Sequence, residues 1–532
     1  MSATETLATP PVPAVWRPKH NPWAIALVVT MATFMEVLDT SVANVALPHI
    51  AGNLSAGVDE STWILSSYLV ANAVVLPLSA WLATRFGRKR FYMTCVMLFG
   101  ISSLLCGLAS SLSMLVFFRV LQGLGGGGLA PSEQAILADT FPPQKRGMAF
   151  AIYGMAVVLA PAIGPTLGGF ITDNFDWRWI FFINVPVAIA SLLLTSRLVE
   201  DPPHARAGSR AGVSVDYIGL GLVAIGVGAL QVVLDKGERE DWFSSGFILS
   251  FGITSIVCIV TAIFWEYHHP NPVIDIRLFK NRNFSVSCVM MFILGAALFG
   301  ATVLLPQLVQ TLMGYTAQDA GMVLSPGAII IILMLPFVGK IVGKVDARYL
   351  IAFGFGAAGI ALFHMTELYL DVDFKTLVML RIYQMAGVAF LFVPIQTMCY
   401  VGIPPEKNNN VSGMTNLARN MGGSIGISLV ETLLARRSQY HQSVLSAHTS
   451  SLDPAFHNQV TGLAQSLTTG GMDHSAATQM AYGRIYGLVQ GQAAMLAYID
   501  TIWVFGLLCV LVAPLAFLMK KNRAGRGPAG AH

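Results

Sequence analysis

Apolar runs of about 20 residues, each long enough to span a hydrocarbon core, recur along the chain between Trp23 and Lys520 and are separated by short polar turns. Fourteen such runs are legible, so the pattern predicts fourteen helices and an all-α polytopic membrane protein. From Arg282 to Asp319 no charged residue intervenes, which is room for one helix and a tight turn. The first run stays as a helix. It is too long for a cleaved leader, carries Glu36 and Asp39, and is not followed by a small-residue cleavage site.

Composition agrees. Hydrophobic residues make up 55% of the 532 and charged residues 11%, against about 25% charged in soluble domains. Most of the 32 Lys and Arg fall in alternate turns, among them Arg85, Arg88, Lys89 and Arg90, then Lys145 and Arg146, then Arg277, Lys280 and Arg282. Positive charge marks the inner side of a membrane, so both termini are expected in the cytoplasm. The net charge of +4 suits a surface against anionic lipid and calls for no nucleic acid. Six cysteines lie in apolar runs without a CxxC, and eleven histidines form no HxxxH, so neither a metal nor another cofactor is expected.

The chain repeats itself. LVFFRVLQ (Leu115 to Gln122) answers to LVMLRIYQ (Leu377 to Gln384) at an offset that also relates Pro143 to Pro405, Lys145 to Lys407 and Gly164 to Gly426. LPLSAWLATRFG, from Leu76, answers to LPFVGKIVGKVD, from Leu335, with Arg85 opposite Lys344. Two six-helix halves with two extra spans between them give a 6+2+6 plan. The expected division is a leader 1–20, a first bundle 21–200, a linker with two spans 201–270, a second bundle 271–522 and a tail 523–532. The leader and tail read as disordered.

Charges inside the spans are costly, at least about 2.5 to 3.5 kcal/mol each at a helix centre, and so need partners or a purpose. Glu36 and Asp39, three apart on one helical face, can titrate together as a proton switch. Their counterparts in the second half are Gly295 and Leu298, so the acids belong to one half only. Arg119 is a candidate to exchange partners with them, although its recurrence as Arg381 also suits a scaffold role. Glu133 is a further candidate. Between Gly154 and Gly169, the run GMAVVLAPAIGPTLGG places Pro161, Pro165, Gly164 and Gly168 in one span. Proline bends a helix, and glycines four apart let another backbone come close. Residues expected to line a midplane cavity for apolar compounds are Phe34, Met35, Trp63, Tyr68, Asn72, Phe299, Gln307 and Gln310.

Several motifs together resemble the EmrB/QacA family of fourteen-span drug:proton antiporters, within the major facilitator superfamily. They are LDTSVANVALP (Leu38 to Pro48), FFRVLQGLGGGG (Phe117 to Gly128) and WRWIFFINVP (Trp177 to Pro186). The stretch holding Gly154, Pro161, Gly164, Pro165, Gly168 and Gly169 resembles that superfamily's fifth-helix antiporter motif. Arg85, Gly87 and Arg88 resemble its gating loop, but Ala80 and Thr84 replace the usual Gly and Asp, which puts the loop's charge relay in doubt. The resemblance implies a major facilitator fold and proton-driven export of hydrophobic drugs across the cell inner membrane. A dedicated exporter of one metabolite or fatty acid is the alternative, and sodium coupling stays open. About sixty residues, roughly 436–495, form an outer loop rich in Gln, Ser, Thr and His. By the same resemblance it docks a periplasmic membrane-fusion adaptor and, through it, a TolC-type outer-membrane channel.

Two lookalikes carry no such weight. Gly123, Gly125 and Gly128 fit GxGxxG but lie inside a span with no preceding strand, and GKIVGKV (Gly339 to Val345) ends in Val where a P-loop needs Ser or Thr. With no catalytic constellation either, an enzyme is not expected.

Overall fold

The computed structural model describes residues 16, 18–205, 216–447, 449 and 453–521, and among them every regular element is helical. The expected tail 523–532 and most of the expected leader 1–20 lie outside the described residues. In chain order the helices are α1 (Pro22–Asn53), α2 (Trp63–Phe86), α3 (Arg88–Gly107), α4 (Leu112–Thr140), α5 (Pro143–Asn174) and α6 (Trp179–Leu198). Then come α7 (Tyr217–Lys236) and α8 (Gly246–His268), followed by α9 (Arg282–Thr311), α10 (Ala317–Ile341), α11 (Ala347–Met365) and α12 (Phe374–Cys399). The last three are α13 (Asn408–Ser446), α14 (Pro454–Thr469) and α15 (His474–Val512).

Helices are the natural choice because lipid offers backbone amides no partner. Their starts are written in the sequence: Asn21 caps α1 ahead of Pro22, Ser111 caps α4, Asp373 caps α12, and Thr316 with Asp319 forms a capping box on α10. Among the described residues, 13 helices are long and apolar enough to cross a membrane. The fourteenth span is α13, whose apolarity alone would miss it. Its Asn408, Asn409, Ser412, Thr415 and Asn416 are buried against protein rather than lipid.

The 6+2+6 plan is visible in the packing. Within the first six spans, α1 lies on α5, and α4 lies against α2 and α3. Within the last six, α9 and α15 flank α13, while α11 packs on α12 and α15. The two sets meet where α5 crosses α10 and where α13 crosses α2 and the end of α4; α7 leans on α8, α2 and α13. The glycine run of α4 explains its wedge position. A Cβ at Gly127 would lie 2.5 Å from the Asn72 carbonyl, and one at Gly125 would lie 2.7 Å from the Phe99 amide. GxGxxG here is helix packing.

One expectation changes form. The outer segment 436–495 is not an irregular loop, because α13 continues to Ser446, α15 begins at His474, and α14 packs on α15 through Val460, Ala464, Ala481 and Ile485. Its polar exterior suggested a loop, but the small and aliphatic residues at helical spacing give it a core of its own.

Candidate functional site

We call the end of the bundle bearing Arg88 basal and the opposite end apical. Midway along α1, Asp39 meets Arg119 of α4 in a buried ion pair, Nη1 to Oδ2 2.5 Å, with both side chains almost wholly shielded. Two amides complete the carboxylate's shell: Gln122 Nε2 donates to Oδ1 at 2.9 Å and Asn184 Nδ2 at 2.7 Å. Arg119 also donates to Gln122 Oε1 at 2.8 Å and from Nε to the Ile64 carbonyl at 3.0 Å, and its guanidinium stacks 4.3 Å from the Tyr68 ring centroid. A buried pair without such extra bonds would not recover its desolvation cost. Neither Gln122 nor Asn184 was anticipated, although Gln122 repeats as Gln384 and Asn184 sits in the INVP motif.

Glu36, one turn earlier, is placed differently. It is half-buried and accepts from Tyr68 Oη at 3.0 Å and Asn72 Nδ2 at 3.2 Å, with no cation within 4.0 Å among the described residues. Glu133 of α4 is fully buried. Thr30 donates to its Oε1 at 2.6 Å, while its Oε2 has no hydrogen-bond partner and no cation reaches it. The structure therefore divides the four expected coupling residues into one paired set, Asp39 with Arg119, and two acids with no cation within 4.0 Å among the described residues, Glu36 and Glu133, Glu36 lying within longer electrostatic reach of Arg419.

The second half reproduces the scaffold without the acid. Arg381 Nη1 donates to Gln384 Oε1 at 2.7 Å, as Arg119 does to Gln122, but its Nε is unpartnered. Gly295, standing at the repeat position of Glu36, is instead a packing point for α13.

α5 passes unbroken through Pro161 and Pro165. A Cβ at Gly164 would lie 2.5 Å from the Cβ of Ser41, and one at Gly168 3.2 Å from Val42, so these two glycines seat α5 on α1. Gly154 faces the other set of spans, with Phe392 and Leu335 3.2 and 3.3 Å from a Cβ there, and Gly169 has open space.

Between the halves lies a narrow, almost wholly apolar cavity of about 30 Å³ bordered by Gly154, Leu298, Phe299, Leu335, Phe392 and Arg419. Of the expected lining residues, Phe299 is there. Met35, Tyr68 and Asn72 are buried in the α1–α2–α4 packing, and Phe34 joins the core around Leu38. Trp63 stands under Lys236, 4.7 Å from its ring, while Gln307 and Gln310 are exposed near the apical end of α9. Arg419 donates to Tyr153 Oη at 3.2 Å, has no carboxylate within 4.0 Å, and borders the cavity.

At the basal end Gly87 has φ of +89°, a conformation that glycine adopts freely, and it turns the chain so that Arg88 points inward. Arg88 pairs with Asp139, and Asn408 of α13 donates to the same carboxylate at 2.5 Å. The carboxylate that meets Arg88 is thus on α4 and not at position 84, where the chain has Thr84. Arg85 is exposed. A Cβ at Gly147 would come 2.8 Å from the Gly339 carbonyl, so the backbones of α5 and α10 touch at the same end. Among the described residues no group of three or more His, Cys, Asp or Glu could hold a metal ion.

This chain belongs to the Major Facilitator Superfamily, whose family model matches residues 29–427. Within it the chain is an EmrB-like transporter, not an enzyme. The multidrug export protein EmrB of Escherichia coli (strain K12) is 37% identical over 513 residues, 96% of this chain and 97% of that one. The fatty acid resistance protein FarB of Neisseria gonorrhoeae is 38% identical over 441 residues, 83% of this chain and 86% of its own. Among solved structures, the proton:xylose symporter XylE bound to 6-bromo-6-deoxy-D-glucose superposes with a TM-score of 0.59, covering 93% of this chain and 95% of that one. At 16% identity it speaks for the fold alone.

Proposed function

We propose that this chain is a proton-coupled antiporter that exports hydrophobic compounds across the inner membrane, with its basal face and both termini in the cytoplasm. The observation that carries the reading is Glu133, fully buried, held by Thr30 alone and without a cation. A bare carboxylate costs several kcal/mol there, whereas a protonated one is neutral. Glu133 is thus suited to carry a proton while the bundle is closed and to lose it when water arrives. Glu36, half-buried nearby on α1, is the relay between Glu133 and the apical side. Asp39 and Arg119 hold α1 and α4 in register and transmit the change.

Transport then follows from rocking of the halves 21–200 and 271–522 about the linker 201–270. Bonds at the basal end, Asp139 to Asn408 and the Gly147–Gly339 contact, close that side in the described state. The cavity by Phe299 and Phe392 receives apolar substrate, and the antiporter glycines Gly164 and Gly168 let α5 move on α1. The helical segment 436–495 is the docking place for a periplasmic membrane-fusion adaptor leading to a TolC-type channel.

One observation favours the narrower reading, a dedicated exporter of fatty acids. Arg419, with no carboxylate within 4.0 Å among the described residues, puts a cation at the edge of an apolar cavity, which suits an amphipathic anion, and FarB is among the relatives. Everted vesicles energised by respiration and loaded with a pH-sensitive dye test both readings. Hydrophobic cations and medium-chain fatty acids should release protons from wild type but not from Glu133→Gln. Undiminished release from Glu133→Gln sinks the assignment of the proton site, and response to fatty acids alone selects the narrower reading.

A further inference from the structure

A cavity of about 230 Å³ lies not between the helices at mid-membrane but at the basal end. Three separate elements wall it: the end of α2 with Trp81 and Arg85, the connection from α8 to α9 with Asp275 and Arg277, and the start of α13 with Lys407 and Asn410. Arg85 apart, which stands in the loop that resembles the gating loop, none of these residues has a part in the transport cycle proposed above.

Its charge is unbalanced. Three cations face one carboxylate, and Lys407 already binds that carboxylate, Nζ to Asp275 Oδ2 2.7 Å. Arg277 is held in place by its Nη2, which donates to the carbonyls of Tyr267 at 3.0 Å and His269 at 2.9 Å, leaving its other donors unused by these bonds. Arg85 has no carboxylate within 4.0 Å among the described residues. The second oxygen of Asp275, Oδ1, is buried without a hydrogen-bond partner. The cavity therefore offers two guanidinium groups, which match a phosphate by geometry as well as charge. Trp81 on the same wall is the residue type that sits at the level of lipid headgroups.

We propose that this cavity binds a phosphodiester or phosphomonoester group, the phosphate seated on Arg85 and Arg277. A glycerophospholipid headgroup and a soluble sugar or glycerol phosphate share that chemistry. The occupant touches α2, the α8–α9 connection and α13 at once, so it ties together parts that the rocking motion separates.

The test uses the full-length protein in detergent, stripped of lipid and followed by native mass spectrometry. It is titrated with phosphatidylglycerol and, separately, with glycerol 3-phosphate, as wild type and as Arg85→Gln/Arg277→Gln. Binding should weaken about tenfold or more in the double variant with no change in its thermal melt. Weakening seen only with the lipid assigns the site to a headgroup; weakening with both ligands assigns it to the phosphate group whatever its source. Unchanged affinity for both ligands overturns the proposal. Should the double variant melt lower than wild type, Arg85→Gln alone carries the same comparison, since this arginine is exposed.

Discussion

Gln134 of α4 and Gln396 of α12 stand 262 residues apart, the offset that relates the two halves, and the Gln396 amide donates to Gln134 Oε1 at 2.6 Å. Two copies of one ancestral position meet at the axis between the halves. Asn416 closes the triangle, donating to Gln134 Oε1 at 2.7 Å and accepting from Gln134 Nε2 at 3.3 Å. Removing one member leaves the others unsatisfied at a cost of about 1 to 3 kcal/mol each. Gln134→Ala should therefore loosen the basal seal. A cysteine at Ser412, fully buried in wild type, should react faster with maleimide in that background. An unchanged labelling rate would show that the triangle does not hold the seal.

Asp39 and Glu133 should behave differently when neutralised. Asp39→Asn strands the Arg119 charge in the core, a loss of about 3 to 5 kcal/mol by analogy with other broken buried pairs. It should lower the melting temperature as well as transport. Glu133→Gln removes no ion pair, so it should melt near wild type while proton release by substrate is lost. Thermal melts in detergent beside vesicle assays read both; equal melting of the two variants would contradict the division into paired and unpaired acids.

The glycines of α5 are not equivalent. A side chain at Gly164 collides with Ser41, and overpacking of this kind costs about 1 to 3 kcal/mol. Gly164→Val should abolish export and destabilise the protein. Gly169→Ala, with open space around it, should leave both within error. A parallel loss at the two positions would mean that α5 is not seated on α1 as described.

Gly87 and Asp139 serve the same turn by different means. Gly87→Ala forces a Cβ into a positive-φ backbone conformation that costs an L-residue about 1 to 3 kcal/mol. Asp139→Asn leaves Arg88 buried without its counter-ion, the heavier loss. The measured order of melting temperatures should be wild type, Gly87→Ala, then Asp139→Asn.

Arg419→Gln should reduce export of medium-chain fatty acids far more than of hydrophobic cations. Uptake of labelled substrates into everted vesicles gives the two rates, and an equal fall in both would assign Arg419 to packing alone.

Much of this was legible because membrane helices declare themselves by apolar length and because duplication leaves matching residues. The pairs Arg119 and Gln122, then Arg381 and Gln384, were visible as a spacing of three at one offset, and both make the same bond. What stayed hidden depended on partners far away in sequence. Nothing local tells that Asp139 pairs with Arg88, or that Asn184 reaches Asp39 across 145 residues. Gln134 and Gln396 did carry the repeat signal, but amides attract less notice than charges in an apolar span. The segment 436–495 misled for the opposite reason: solvent-facing Gln and Ser are as compatible with a helix surface as with a loop.

α13 is one unbroken helix of 39 residues, roughly 58 Å at about 1.5 Å per residue, nearly twice the thickness of a hydrocarbon core of about 30 Å. Near the apical surface Arg437 and His441 both grip Asp500 of α15, at 2.6 and 2.7 Å, clasping two such rods together. A rod of that length is a lever arm. Any few-degree tilt at its membrane-embedded base becomes a displacement of several ångströms at the tip, so whatever rests on the tip feels each turnover as a mechanical stroke.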